Sequence, residues 1–353
     1  MESFDQTPEA TADVHIEVLG RLGVVTLDRP RALNALTHAM VRAIAAALDA
    51  WEVDEGVSTV LLTGAGERGF CAGGDVVAVH RDAVSGGTGA LDFWRDEYTL
   101  NARIARYPKP IVALMHGLTL GGGVGLAGHA RHRVVTDSSM VGMPETAIGF
   151  VPDVGGTWLL AHAPGETGTL LALTAAPTDA AGAVYTGLAN AYVPEVRVAE
   201  LREALTVESP EHALARLSEP APVSPLADDR EWIDECFGHD DVPSILSALA
   251  AAGQGALADV IASKSPSAVW LTLASLRRAR GLPNLESALI QEFRVSTRCL
   301  SMPDLAEGIR AQLIDKDRAP RWTPSTFDAL DEGALGRFFE PLPDDLVLPA
   351  SGA

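Results

Sequence analysis

Cysteine is scarce in this sequence: three occur in 353 residues, Cys71, Cys236 and Cys299, far apart and without CxxC spacing. That excludes a disulfide framework and a structural zinc cluster, and points to reduced, buried thiols in a reducing compartment. Basic residues are also few. The chain has 27 Lys and Arg against 47 Asp and Glu, a net charge of -20. A broad nucleic-acid surface needs clustered cations and is excluded; one small phosphate-bearing ligand needs only a few local cations and amides and is not. The opening MESFDQTPEATAD is acidic and polar, with neither an apolar core nor an Arg-rich pattern, so no targeting segment is read there. Between Lys109 and Arg131 no Asp, Glu, Lys or Arg occurs, which is long enough to suggest a membrane span. Six glycines and two histidines inside that run argue instead for a buried strand, a turn and a buried helix. No GxSxG is present, so a serine-hydrolase elbow is not supported. These absences lead to the expectation of a cytoplasmic protein with no membrane and no nucleic-acid partner.

What is present is an ordinary globular composition, 47% hydrophobic and 21% charged. Residues 14–27 hold two β-rich runs separated by Gly20 and Gly23, a hairpin signal. Thr37 is placed to cap a helix through Met40, Ile44, Leu48 and Trp51. TVLLT (59–63) and IVALM (111–115) are fully apolar strands, with a short helix from Asp75, a mobile linker at 83–90 and a helix at about 91–106 between them. Strand–helix alternation predicts an α/β fold. After about residue 165 the strands nearly stop, with one more run, ANAYV, before a helix at 195–206. A Pro- and Ser-rich span at 208–228 reads as a boundary, followed by helical patterns near 241–263, 267–280, 285–300 and 303–315. The expected organisation is a core over 1–210 and a helical region over 225–340.

Two GxGxxG matches, Gly64–Gly69 and Gly123–Gly128, lack the context of a dinucleotide site. Such a site needs its helix to start within the glycines. After Gly69 the chain runs Phe-Cys-Ala-Gly-Gly before any helix, and the second match lies inside a helix. The two loops make better sense as a pair. Each follows a buried strand, ends in consecutive glycines and opens a helix. Gly74 and Gly122 would each present a backbone amide that a ligand can approach closely, at the positive end of a helix. Two such amides converging on one oxygen form an oxyanion hole; the plainer reading is that they serve tight turns.

GERGFCAGGD, GGGVGLA and PETAIGFVPDVGGTW, together with DRPRALNAL, resemble the crotonase (enoyl-CoA hydratase/isomerase) superfamily. The resemblance implies a spiral of ββα units with a C-terminal helical region, coenzyme A thioesters as substrates, no metal or redox cofactor and a homo-oligomer, often trimeric. It implies that the amides of Gly74 and Gly122 polarise the thioester carbonyl, and that Arg31, Ala32, Leu33, Ala72, Gly74 and Asp75 contact CoA. Hydratases carry two catalytic glutamates. One matches Glu145; at the other position this chain has Gly125, and it gains Asp153 where hydratases usually have glycine. That exchange is similar to the 3-hydroxyisobutyryl-CoA hydrolase subfamily, as are KSPSAVWLTL, QEFRVSTRCL and DLAEGIRAQLIDKDRAPRWTP. The subfamily implies Glu145 and Asp153 as catalytic acids and Glu97, Gly122, Glu145 and Asp153 as substrate contacts. The residues alone leave other readings open. Glu145 and Glu97 also admit a reading as solvated acids, Asp153 as a helix cap, and Arg29 and Arg31 as ordinary loop cations. His116, His129 and His132 read as structural. At the level of activity, a hydratase or isomerase and an acyl-CoA binder without turnover stand beside the hydrolase.

Overall fold

The computed structural model describes residues 12–348. The polar stretch read above for a targeting signal lies outside the described residues as far as residue 11. No helix among the described residues is long and apolar enough to cross a membrane.

A hairpin, β1 (Val14–Leu19) and β2 (Leu22–Leu27), opens a six-stranded sheet in the order β1-β2-β3-β4-β6-β9. β3 is Thr59–Gly64, β4 Ile111–Met115, β6 His132–Val135 and β9 Ala191–Tyr192. From β2 onward every pairing in this sheet is parallel, with Val25 opposite Leu62 and Leu62 opposite Ala113. A small sheet holds β5 (Leu118–Leu120), β7 (Met140–Gly142) and the two-residue β8 (Thr178–Asp179). The apolar runs in β3 and β4 follow from burial on both faces. Val25, Val60, Leu62 and Ala113 point into the main core, whereas Val24, Leu61, Val112 and Leu114 point into a second one. That second core is closed by two later helices, α8 (Val198–Ala204) through Leu201 and the Leu205 that follows it, and α9 (Pro210–Leu217) through Leu214 and Leu217.

The helices of the first half are α1 (His38–Val53), α2 (Val76–Ser85), α3 (Gly89–Arg106), α4 (Gly122–Ala127), α5 (Gly156–Ala161), α6 (Thr167–Thr174) and α7 (Ala180–Tyr185). Thr37 caps α1 as its sequence predicts, its side chain accepting from the Met40 amide at 3.2 Å. After α9 come α10 (Pro225–Asp228), α11 (Arg230–Phe237), α12 (Val242–Ala251), α13 (Gly255–Ala262), α14 (Pro266–Ala279), α15 (Leu285–Cys299), α16 (Pro303–Ile309) and α17 (Glu332–Gly336).

Three expectations need correction. The linker at 83–90 shrinks to residues 86–88, because Asp82 accepts from the Ala90 amide at 2.6 Å and ties the start of α3 to α2. The span at 208–228 is not an open boundary. Ser209 and Ser224 cap α9 and α10, and each is followed by a proline at a first helical position, where its missing N–H costs nothing. α11 and β8 gave no recognised signal. Over 303–315 the α-helix ends at Ile309 and continues as one π-helical turn, Arg310–Ile314.

The main core does not stop at the end of the strands. It runs from Val14 through the sheet to Leu271, Leu276, Leu289, Phe293 and Leu346. α14 and α15 therefore pack into the same apolar interior as β2, β3 and β4. A third cluster joins α6 to α11, α12, α13 and α14.

Candidate active site

The loops after β3 and β4 are zipped together. Cys71 donates its amide to Leu118 O at 3.1 Å, and Leu120 donates its own to Cys71 O at 2.8 Å. This ladder carries Gly73-Gly74 alongside Gly121-Gly122. Gly121 adopts φ 50°, ψ -119°, a conformation available only to glycine, and the turn it makes starts α4 at Gly122. A Cβ on Gly122 would lie 3.2 Å from the amide nitrogen of Gly74, so the two amides are neighbours. The Gly122 N–H, first in its helix, has no intrahelical acceptor. Gly74 bridges to Leu36 through the Gly73 carbonyl and the Asp75 amide, which leaves its own N–H outside that ladder.

Helix α3 lies across both loops. Phe93, Glu97 and Asn101 are four residues apart and share one face. Each sits where a glycine would otherwise carry a side chain. The missing Cβ of Gly74 would be 3.2 Å from the Phe93 ring, that of Gly122 2.7 Å from Glu97 Oε1, and that of Gly125 3.0 Å from Asn101 Nδ2. Glu97 and Asn101 are buried, and Glu97 Oε1 and both amide atoms of Asn101 lack partners among the described residues. Burial of Glu97 removes the solvated-face reading of that acid.

Glu145 opens a 3-10 turn, Glu145–Ile148, and is 7% exposed. Its Oε1 lies 2.5 Å from the missing Cβ position of Gly121, and Oε2 has no partner among the described residues. Asp153 follows at 5% exposure. It does not cap α5. Its Oδ2 accepts the Tyr98 hydroxyl at 2.6 Å, and that hydroxyl lies 3.0 Å from Ser296 Oγ on α15. The cap of α5 comes instead from Glu292 on α15. Its Oε2 accepts from the Gly155 amide at 2.6 Å, and its Oε1 from the Thr157 amide at 2.9 Å and the Thr157 hydroxyl at 2.5 Å.

Four carboxyl groups thus share a dry region. Loss of hydration pushes Glu145 well above the usual carboxylate range, and the charge on Asp153 pushes it further. Glu97 is raised for the same two reasons in the same order. Burial lifts Asp153 to about 7, against the Tyr98 bond, which lowers it. Burial lifts Glu292 to about 8, opposed by Thr157 and the Gly155 amide. Burial lowers His129 to about 4; it is neutral near pH 7, and its Nε2–H donates to Val154 O at 2.8 Å.

A cavity of about 610 Å³ opens beside Gly74, between Leu36, Ala78, Val79 and Phe93, with His38, Asp75 and Arg81 also on its wall. The candidate CoA segments adjoin, since Ala72 donates its amide to Leu33 O at 3.0 Å. Arg31 lies exposed in the 3-10 turn Pro30–Ala32. Arg29 instead pins this loop, donating to Ala35 O at 2.6 Å and to Asp75 Oδ2 at 3.4 Å. No group of three His, Cys, Asp or Glu among the described residues is arranged to hold a metal ion.

The enzyme family model described as enoyl-CoA hydratase/isomerase matches residues 22–339. The chain belongs to the enoyl-CoA hydratase/isomerase family. A mitochondrial 3-hydroxyisobutyryl-CoA hydrolase of Danio rerio is 36% identical over 96% of this chain and 93% of its own. The structure is similar to a carnitinyl-CoA dehydratase from Mycobacterium thermoresistibile, with TM-score 0.93, 48% identity and coverage of 97% of this chain and 100% of the other. It is also similar to an enoyl-CoA hydratase from Rhodobacter sphaeroides 2.4.1, with TM-score 0.90, 43% identity and coverage of 96% and 100%. Crotonase-fold α/β architecture with C-terminal helices is therefore what the sequence implies and the structure has.

A Cβ on Gly125 would lie 2.6 Å from Val154 Cβ, so Val154 occupies the room that a side chain at position 125 would need. Asn101, Glu292 and Ser296 were not singled out from the sequence. The signal for the last two was available: Glu292 and Ser296 fall on the apolar stripe that carries Leu289 and Phe293, where a charged residue calls for a buried partner.

Proposed function

We propose that this protein is an acyl-CoA thioester hydrolase whose substrate is a short, branched 3-hydroxyacyl-CoA, in the first place 3-hydroxyisobutyryl-CoA. The observation that carries this reading is the pairing of a held acid at 153 with a closed position at 125. An acid fixed by Tyr98 stands beside Glu145, and no room is left for the second glutamate of a hydratase.

In this scheme the thioester carbonyl oxygen sits between the amides of Gly74 and Gly122. Glu145 attacks the carbonyl carbon, the C–S bond breaks and CoA leaves as thiolate with the electron pair. Water then cleaves the resulting anhydride, releasing the hydroxy acid and restoring Glu145. In the variant scheme Glu145 takes the proton of a water that attacks directly. Asp153 orients that water or binds the substrate hydroxyl, with Glu97 as a further substrate contact. Arg31, Ala32, Leu33, Ala72 and Asp75 lie along the path proposed for CoA. The core over 1–210 supplies the chemistry, the helices over 225–340 complete the site, and the working form is a homo-oligomer. A hydratase or dehydratase is the second reading, favoured by the names of the two similar solved structures.

The test is thiol release from 3-hydroxyisobutyryl-CoA beside crotonyl-CoA, for wild type and Glu145→Gln. Release from the hydroxyacyl substrate alone, abolished in the variant, is expected. Absence of thiol release with loss of enoyl absorbance from crotonyl-CoA would move the protein to the hydratases.

A further inference from the structure

The loop that carries Asp153 is held in a conformation the chain does not favour by itself. Val154 has φ 53° and Gly155 φ 81°. A β-branched residue in the left-handed region is rare and persists only where its surroundings impose it. Three contacts impose it here. His129 Nε2–H donates to Val154 O at 2.8 Å, the Gly156 amide donates to Asp153 O at 2.6 Å, and the Glu292 carboxylate gathers the amides of Gly155 and Thr157. The turn so formed lays the Val154 side chain over Gly125 and sets Asp153 against Tyr98. One turn further along α15, on the same face, Ser296 meets the Tyr98 hydroxyl.

We infer that Glu292 and Ser296 are positioning residues of the active site: one turn of α15 fixes the backbone of the Asp153 loop through Glu292 and the Asp153 carboxylate through Ser296 and Tyr98. Neither side chain need touch substrate. Glu292 is 1% exposed with both oxygens engaged by residues 155–157, and Ser296 is fully buried behind Tyr98. The role assigned to Asp153 rests on the hydrolase reading; the control of its geometry by α15 does not.

The experiment compares Glu292→Ala, Glu292→Gln and Ser296→Ala with Glu166→Ala, in the full chain. Glu166 is another buried carboxylate, bound by Arg277 at 2.9 Å and Arg280 at 2.7 Å, and it ties α6 to α14. Thiol release, melting temperature and a crystal structure are read for each. Glu292→Ala is expected to lower kcat about a hundredfold at little-changed KM, as misplacement of a reacting group does. Glu292→Gln, which keeps one acceptor, recovers part of the loss, and Ser296→Ala lies between it and wild type. Glu166→Ala melts earlier but keeps kcat. In the Glu292→Ala crystal structure Val154 returns to negative φ and Asp153 leaves Tyr98. An unmoved loop, or a loss of kcat that merely tracks melting temperature across all four variants, overturns the inference. Wild type without thiol release would overturn the hydrolase reading instead, and the loop conformations would still decide the role of α15. If Glu292→Ala does not fold, Glu292→Gln and Ser296→Ala carry the same comparison.

Discussion

Tyr98 donates its hydroxyl to Asp153 Oδ2 at 2.6 Å, and the bond joins α3 to the loop before α5 between two buried side chains. The bond favours the ionised form of Asp153 against the burial that opposes it. Tyr98→Phe removes it while keeping the ring against Phe293. The pKa of Asp153 then moves up from about 7, so the acidic limb of the rate profile moves to higher pH. At neutral pH kcat falls about tenfold or more, the order expected for a hydrogen bond to a charged group. A pH–rate profile of thiol release checks this; an unshifted limb would refute it.

Asp153 also makes a prediction about stability. Its pKa is raised in the folded protein, from 3.8 to about 7, so the folded state holds a proton that the unfolded chain has released. The stabilisation is fully present below about pH 3.8 and is lost as pH rises through about 7. Asp153→Asn, which cannot ionise, escapes that loss. Urea denaturation at pH 5 and pH 8 should show the variant gaining on wild type at the higher pH. A difference independent of pH would be evidence against the buried, raised acid.

Gly125 is closed to side chains by Val154. Gly125→Ala should cost about 1–3 kcal/mol, as overpacking does. Val154→Gly in the same chain, which removes the Cβ at 2.6 Å, should restore part of it, so the two changes should be non-additive in a double-mutant cycle. Simple additivity in urea denaturation would show that the two positions do not compete for space.

Gly122→Ala places a methyl 2.7 Å from Glu97 Oε1 and 3.2 Å from the Gly74 amide, in the space proposed for the carbonyl oxygen. The expected loss in kcat/KM is about 10²–10³, comparable to removing an oxyanion donor. Gly74→Ala meets only the edge of the Phe93 ring at 3.2 Å, so its loss should be smaller. Equal losses in the thiol-release assay would contradict the placement.

Much of this could be read from the sequence because the strongest signals are local. The apolar runs at 59–63 and 111–115 became β3 and β4, and Thr37 and the glycines of the two loops marked where helices begin. Residue types at loop positions paired Gly74 with Gly122; that Glu145 and Asp153 belong with them was what the family resemblance implied. Contacts across long separations were not. Nothing near Asp153 in the chain points to Glu292, whose partner amides lie more than a hundred residues earlier. The short helices α9 and α10 were hidden by Pro and Ser, which serve as start signals there and as breakers elsewhere. Asn101 looked like any polar residue on a helix surface until three glycines let α3 come close.

The apolar interior that runs without a break from Val14 to Leu346 bears on how the protein is made. A ribosome that has finished β9 has already delivered Glu145, Asp153 and both glycine loops, yet not the residues that cap α5 or back Tyr98. The nascent chain holds a site in pieces, with Glu97, Glu145 and Asp153 half wetted and an unfilled groove between the sheet and its missing helices. Only when α15 has emerged does the last wall arrive, so the assembled site depends on a segment made long after the residues it positions.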